Sequence, residues 1–191
     1  METLRRREEF FANEVANKQE IIEEYLKKFL ESLQEGVKKI TLDDLGELKE
    51  LGVTTEQFLD CLCSSRNFLL HGSTKEIIES KLRPQGGRVF ASNRAAIAIM
   101  RSIYSNLNVN LDYPYFISSD SPLELKINTG PSGAYVEVDK GFVYLVDGNG
   151  FRNDPEGSWQ FVKESEDVPF RAIIETEKSD FKYPVEIVKG N

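Results

Sequence analysis

The chain is short of the residues on which many sites depend: of its 191 positions one is histidine, two are cysteine and one is tryptophan. One imidazole and two thiols do not complete the usual four-ligand zinc set, so no structural metal is expected. The thiols, Cys61 and Cys63, stand two positions apart. On a helix they diverge and on a strand they lie along one face, so a disulfide is not expected and the pair reads as buried thiols in a reducing compartment. Cationic residues are also in deficit, 24 Lys and Arg against 32 Asp and Glu, for a formal charge of −8. Nonspecific nucleic-acid binding needs clustered cations that neutralise phosphates, and that class is disfavoured. No apolar run approaches the roughly 20 residues that cross a bilayer. The basic opening lacks an apolar targeting core, so no membrane partner and a cytoplasmic location are expected. Internal repeats, low-complexity tracts, GxGxxG, a Walker lysine loop and HExxH are all absent.

What is present is ordinary globular material, 40% hydrophobic and 29% charged, enough for one sizeable core. Residues 3–35 read as helix, with Ile21, Ile22, Tyr25, Leu26, Phe29, Leu30 and Leu33 at spacings of three and four and Gly36 as a stop. Thr41-Leu42-Asp43-Asp44 reads as a second helix start, ended by Gly52, and Thr54-Thr55-Glu56-Gln57 as a capping box for a third. No Pro, Gly or Ser-rich linker separates these helices from Asn67, so residues 1–65 are expected to pack on the rest of the chain; the alternative is a module that docks a protein partner. Asn93 is expected to cap a buried helix reaching Tyr104, and 105–114 reads as a loop. Strands are expected over 115–118, 123–128, 134–138, 142–146, 159–163, 171–176 and 185–188, punctuated by turns such as Asp147-Gly148-Asn149-Gly150. No βαβ alternation occurs. The expected class is α+β, with a helical region 1–65 and a β-rich region 66–191.

The most informative stretch is 67–92, which holds the only histidine. Phe68, Leu69 and Leu70 form a short buried-strand pattern that gives way to His71-Gly72-Ser73, which places a titratable ring at a strand end. A broken helical stretch and Gly86-Gly87 come next, then a second short strand, Arg88-Val89-Phe90-Ala91, ending at Ser92.

This arrangement resembles the ADP-ribosyltransferase superfamily, in particular its diphtheria-toxin-like and poly(ADP-ribose)-polymerase-like branch, in which His-Gly-Ser/Thr ends one strand and Phe-Ala ends the next. The resemblance covers about the last two thirds of the chain. It implies a split antiparallel β-sandwich after the helices, with NAD as co-substrate in the cleft between two small sheets. Gly72 would then let the backbone meet the nicotinamide carboxamide, His71 would bond a ribose hydroxyl, and Ser73 would reach the nicotinamide. Phe90, Ala91 and Ser92 would frame the other side. The family's tyrosine before Phe-Ala is replaced by Val89, which leaves Phe90, Tyr104, Tyr113 or Tyr115 to supply a stacking ring. Arg83 or Arg88 would meet the pyrophosphate.

The family's third motif opens a strand with glutamate, and Trp159-Gln160-Phe161-Val162 resembles it with Gln160 in that place. An amide binds a ribose hydroxyl but brings no charge to an oxocarbenium-like transition state. Glu164, four residues on along a strand, projects to the same face and is the rival carboxylate. The expected function is NAD-dependent ADP-ribosyl transfer to a protein or nucleic-acid acceptor. The alternative is a catalytically weak or inactive regulatory protein that binds NAD or ADP-ribose and meets a partner through its helices. An RNA 2′-phosphotransferase of related fold needs two histidines, and one is present.

Overall fold

The structure is a computed structural model and describes residues 19–105, 115–116, 124–128, 135–154, 160–164 and 166–188. Helix α1 spans residues 19–32 and tightens into a 3-10 turn at Leu33–Glu35 before Gly36, whose φ of 131° suits glycine. Ile22, Leu26, Phe29 and Leu33 form its buried stripe. Strand β1 (Lys38–Ile40) is too short to carry a sequence signal of its own. Helices α2 (Leu42–Glu50) and α3 (Thr55–Ser65) start at Thr41 and Thr54, and in both the threonine hydroxyl accepts an amide three residues on, in a reciprocal box with Asp44 and Gln57.

Strand β2 (Phe68–Ser73) carries the histidine motif and runs through it. The strand does not stop at Leu70, so His71 sits within it. The helical stretch expected next is not formed. Residues 74–80 are irregular and lead to the two-residue β3 (Lys81–Leu82), then β4 (Arg88–Ser92). Helix α4 (Ala95–Ile103) comes next without the expected Asn93 cap. Instead, the Asp60 carboxylate of α3 accepts the Ala95 amide at 2.8 Å.

The remaining strands are β5 (Tyr104–Ser105), β6 (Tyr115–Phe116), β7 (Leu125–Asn128), β8 (Val136–Glu137), β9 (Lys140–Asp147), β10 (Arg152–Asn153), β11 (Gln160–Glu164), β12 (Val168–Glu177) and β13 (Val185–Val188). The main sheet is open, in the order β1-β12-β9-β2-β4-β11-β10, with β3 added on β12. All its pairings are antiparallel except β1 with β12. A three-stranded sheet β13-β7-β6 and the pair β5-β8 lie apart from it. The class is α+β with a mostly antiparallel open sheet. The part of the expected 105–114 loop beyond Ser105 and the outer ends of several expected strands lie outside the described residues, as do residues 3–18 of the first expected helix.

The helices cover one face of the main sheet. Side chains from α1, α2, α3 and α4 share a single buried cluster with Leu70, Val143, Leu145, Ala172 and Ile174. The other face carries a smaller cluster in which Leu69, Val89, Ala91, Tyr144, Val146 and Phe170 pack with Leu82 and Ile77 of the 74–82 segment. Tyr144 secures that segment. Its fully buried ring places the hydroxyl to accept the Ile77 amide at 2.6 Å and to donate to the Lys75 carbonyl at 3.4 Å.

Among the described residues no helix is long and apolar enough to cross a membrane, and no group of three or more His, Cys, Asp or Glu is placed to hold a metal ion.

Candidate functional site

The three motif strands lie side by side. In β4, Ser92 pairs with Leu70 of β2 on one side and with Gln160 of β11 on the other, so one row runs Leu70, Ser92, Gln160 across the sheet. Leu70 and Ser92 are the only bridging pair between β2 and β4, whereas β2 pairs with β9 from Phe68 to Ser73 and β4 with β11 from Arg88 to Ser92. Past Leu70 no further bridging pair joins β2 to β4, and His71 is the next residue of β2.

The imidazole links the two strands there. Its Nδ1 lies 2.6 Å from the carbonyl oxygen of Phe90, and since a carbonyl only accepts, Nδ1 carries the proton and Nε2 is left as the acceptor. The ring sits 6.2 Å from that of Tyr144. Burial pushes the His71 pKa below its ordinary value, the Phe90 bond opposes that, and the Arg101 charge adds to it. A neutral ring with Nε2 available can accept from a hydroxyl.

The other residues singled out in the sequence have different surroundings. Gly72 lies under α4: a Cβ there would stand 2.1 Å from the Ala98 carbonyl and 2.8 Å from Arg101 Cβ. Its missing side chain makes room for a helix. The Ser73 hydroxyl donates to the Lys75 carbonyl and accepts the Lys75 amide, closing a local turn. Ala91 belongs to the cluster under the 74–82 segment, and Ser92 is buried with its hydroxyl accepting the Arg94 amide at 3.0 Å. Phe90 is half-buried. Tyr104 is a core ring, 5% exposed and edge-on to Phe181 at 5.9 Å, so it is not placed to stack on a ligand.

Gln160 and Glu164 sit at opposite ends of β11, about 13 Å apart at the usual strand rise. Gln160 opposes Ser92. Glu164 opposes Arg88 and is engaged by the Arg152 guanidinium at 2.5 Å, with Arg88 at 3.8 Å. The structure brings Gln160 to the row beside His71 and leaves Glu164 at the far edge. Arg83 is bonded to Glu79. By the alternation of the pleat, Gln160, Ser92 and Leu70 share the helix-covered face while His71 leaves β2 on the other.

Two residues of this region carry no sequence signal. Arg101 is the only charged residue of α4 and is set against Gly72 by helix packing. Tyr144 reads as one more apolar position in a buried strand. A cleft of about 400 Å³ also opens at the end of the sheet where β2 begins and β4 ends, and neither His71 nor Gln160 lines it.

Comparison with family models, with curated proteins and with solved structures found no match.

Proposed function

We propose that the chain is a divergent NAD-dependent ADP-ribosyltransferase, with β1-β12-β9-β2 and β4-β11-β10 as the halves of a split antiparallel sheet and NAD held between them. The observation that carries this reading is the register: strands bearing His71, Phe90-Ala91-Ser92 and Gln160 are consecutive neighbours, joined through Leu70, Ser92 and Gln160. Three short motifs separated by up to about ninety residues of sequence lie on three adjoining strands. In this reading His71 Nε2 accepts a ribose hydroxyl, Gln160 stands at the family's glutamate position on the adjoining half of the sheet, and loss of nicotinamide leaves a ribosyl cation for a macromolecular acceptor. Gly72 then acts by letting α4 approach β2, and the ring that faces nicotinamide is not Tyr104.

A second reading has its own support. Gln160 brings no charge, and the one carboxylate on the same strand face, Glu164, is paired with Arg152 and Arg88. Both favour a regulatory protein that binds NAD or ADP-ribose without transfer. One experiment treats both. NAD is titrated calorimetrically into wild type and His71→Ala, and nicotinamide release is followed with labelled NAD in cell extract. Loss of the His71 hydrogen bond is expected to weaken binding by about 1 kcal/mol. Gln160→Glu is expected to raise nicotinamide release by placing a carboxylate beside the developing positive charge. Absence of NAD binding by wild type at millimolar concentration removes both readings. Binding without release, in wild type and Gln160→Glu alike, leaves the regulatory one.

A further inference from the structure

The cleft of about 400 Å³ is built from the Arg66 turn after α3, the first residues of β2, Asn93 between β4 and α4, and the 148–151 connection after β9, with Phe161 of β11 as a wall. Its volume falls within the range of small-molecule sites. Three features of its lining bear on what it takes.

The first is charge. The chain has 32 acidic residues against 24 basic ones, yet the lining contains no carboxylate, and its one charged side chain is Arg66. Arg66 is exposed and makes no ion pair among the described residues, so its planar five-donor group is available to an anion. The second is the supply of amides. Asn67, Asn93 and Asn149 all line the cleft. Asn67 Nδ2 donates to Asn149 Oδ1 at 3.1 Å, which orients the Asn149 amide and leaves its NH2 group as a donor. Asn67 is itself clamped: its carbonyl accepts the Gly148 amide at 2.8 Å, and a Cβ on Gly148 would stand 2.6 Å from Asn67 Oδ1. The third is the pair of rings, Phe151 and Phe161, both half-buried against the smaller core with part of each still exposed. Such rings offer faces for a flat group to stack on.

We infer that this cleft is a binding site for a nucleoside monophosphate, with the phosphate on Arg66, the base against Phe151 or Phe161, and the asparagine amides on the base edge or sugar. A cation in a lining without carboxylates selects an anion, partly exposed rings select a planar apolar face, and amides read its polar edge. A nucleotide carries all three. The inference requires nothing of His71 and stands apart from the NAD reading.

The test is calorimetric titration of the full chain with AMP, GMP, UMP, adenosine and inorganic phosphate, together with amide chemical-shift mapping. Saturable binding of at least one nucleotide is expected, tighter than adenosine or phosphate alone, with shifts at Asn93, Gly148, Asn149 and Gly150. Arg66→Ala is expected to weaken it about tenfold, as loss of a charge-assisted contact, and Asn149→Ala by less. Both side chains are exposed, so the variants should fold, which their amide spectra check. Absence of nucleotide binding at millimolar concentration, shifts confined to another part of the sheet, or an Arg66→Ala variant that binds like wild type would each overturn the proposal. If NAD binding depends on His71 but no nucleotide binding depends on Arg66, the cleft proposal fails alone. If the reverse holds, the NAD reading fails alone.

Discussion

His71 is both the most legible residue of the sequence and the one whose surroundings the sequence described least. Its position before Gly-Ser marks it as a candidate, but the bond to the Phe90 carbonyl and the ring of Tyr144 come from other strands. Burial pushes its pKa below the ordinary value. Because the folded pKa is lower than the unfolded one, the unfolded chain binds the proton more readily. The group therefore lowers stability as pH falls from about 6.5 through the folded pKa. As the chain's only histidine, His71 gives a single imidazole resonance, and its NMR titration midpoint is expected below 6.5. Urea unfolding adds the sign: on acidification wild type should lose more stability than His71→Gln, which has no ring to protonate. A midpoint at or above 6.5 would show that burial does not dominate the surroundings of the ring. Gly72, Ser73 and Tyr104 make the same point. Each stands out in the sequence for what a ligand would need there, while the structure fills those places with α4, a local turn and Phe181.

Among the elements, legibility tracks the range of the interactions that define them. The capping boxes at Thr41 and Thr54 are readable because donor and acceptor lie three residues apart. Strands β9, β12 and β13 are readable from runs of apolar and β-branched residues bounded by turn residues. The start of α4 is not, because its acceptor is nonlocal: Asp60, thirty-five residues earlier, takes the Ala95 amide. Asp60→Ala is accordingly expected to cost about 1 kcal/mol, the usual worth of an N-terminal cap. Asn93→Ala, at an exposed residue outside the helix, should cost a few tenths at most. Equal losses in chemical denaturation would return the capping role to Asn93. Strands β1 and β3 escape a sequence reading for a related reason, since runs of three and two residues are strands only by virtue of pairing with β12.

At the scale of the whole molecule, residues 19–65 are not a layer apart. Ile22, Leu26, Phe29, Leu45, Phe58 and Leu62 lie in one cluster with Ile99, Leu70 and Leu145, and β1 completes an edge of the main sheet. A fragment of residues 66–191 would keep α4 on the sheet but expose the core surface that α1, α2 and α3 cover and lose the edge strand β1, so it is expected to be insoluble or to lack dispersed amide resonances. A soluble, well-dispersed fragment would show that α1, α2 and α3 are a separable module. The sequence by itself determined the α+β class, the helical stripes, most strand positions and the order of the three motifs, because these depend on residue type and on periodicities of two or 3.6 residues. Only the tertiary structure decided that β2, β4 and β11 are consecutive neighbours, that the sheet is bridged by a single pair where His71 stands, and that Glu164 is committed to Arg152 and Arg88. Strand order and side-chain partners are set by contacts between residues far apart in the chain, and no local pattern encodes which distant group will occupy a given space.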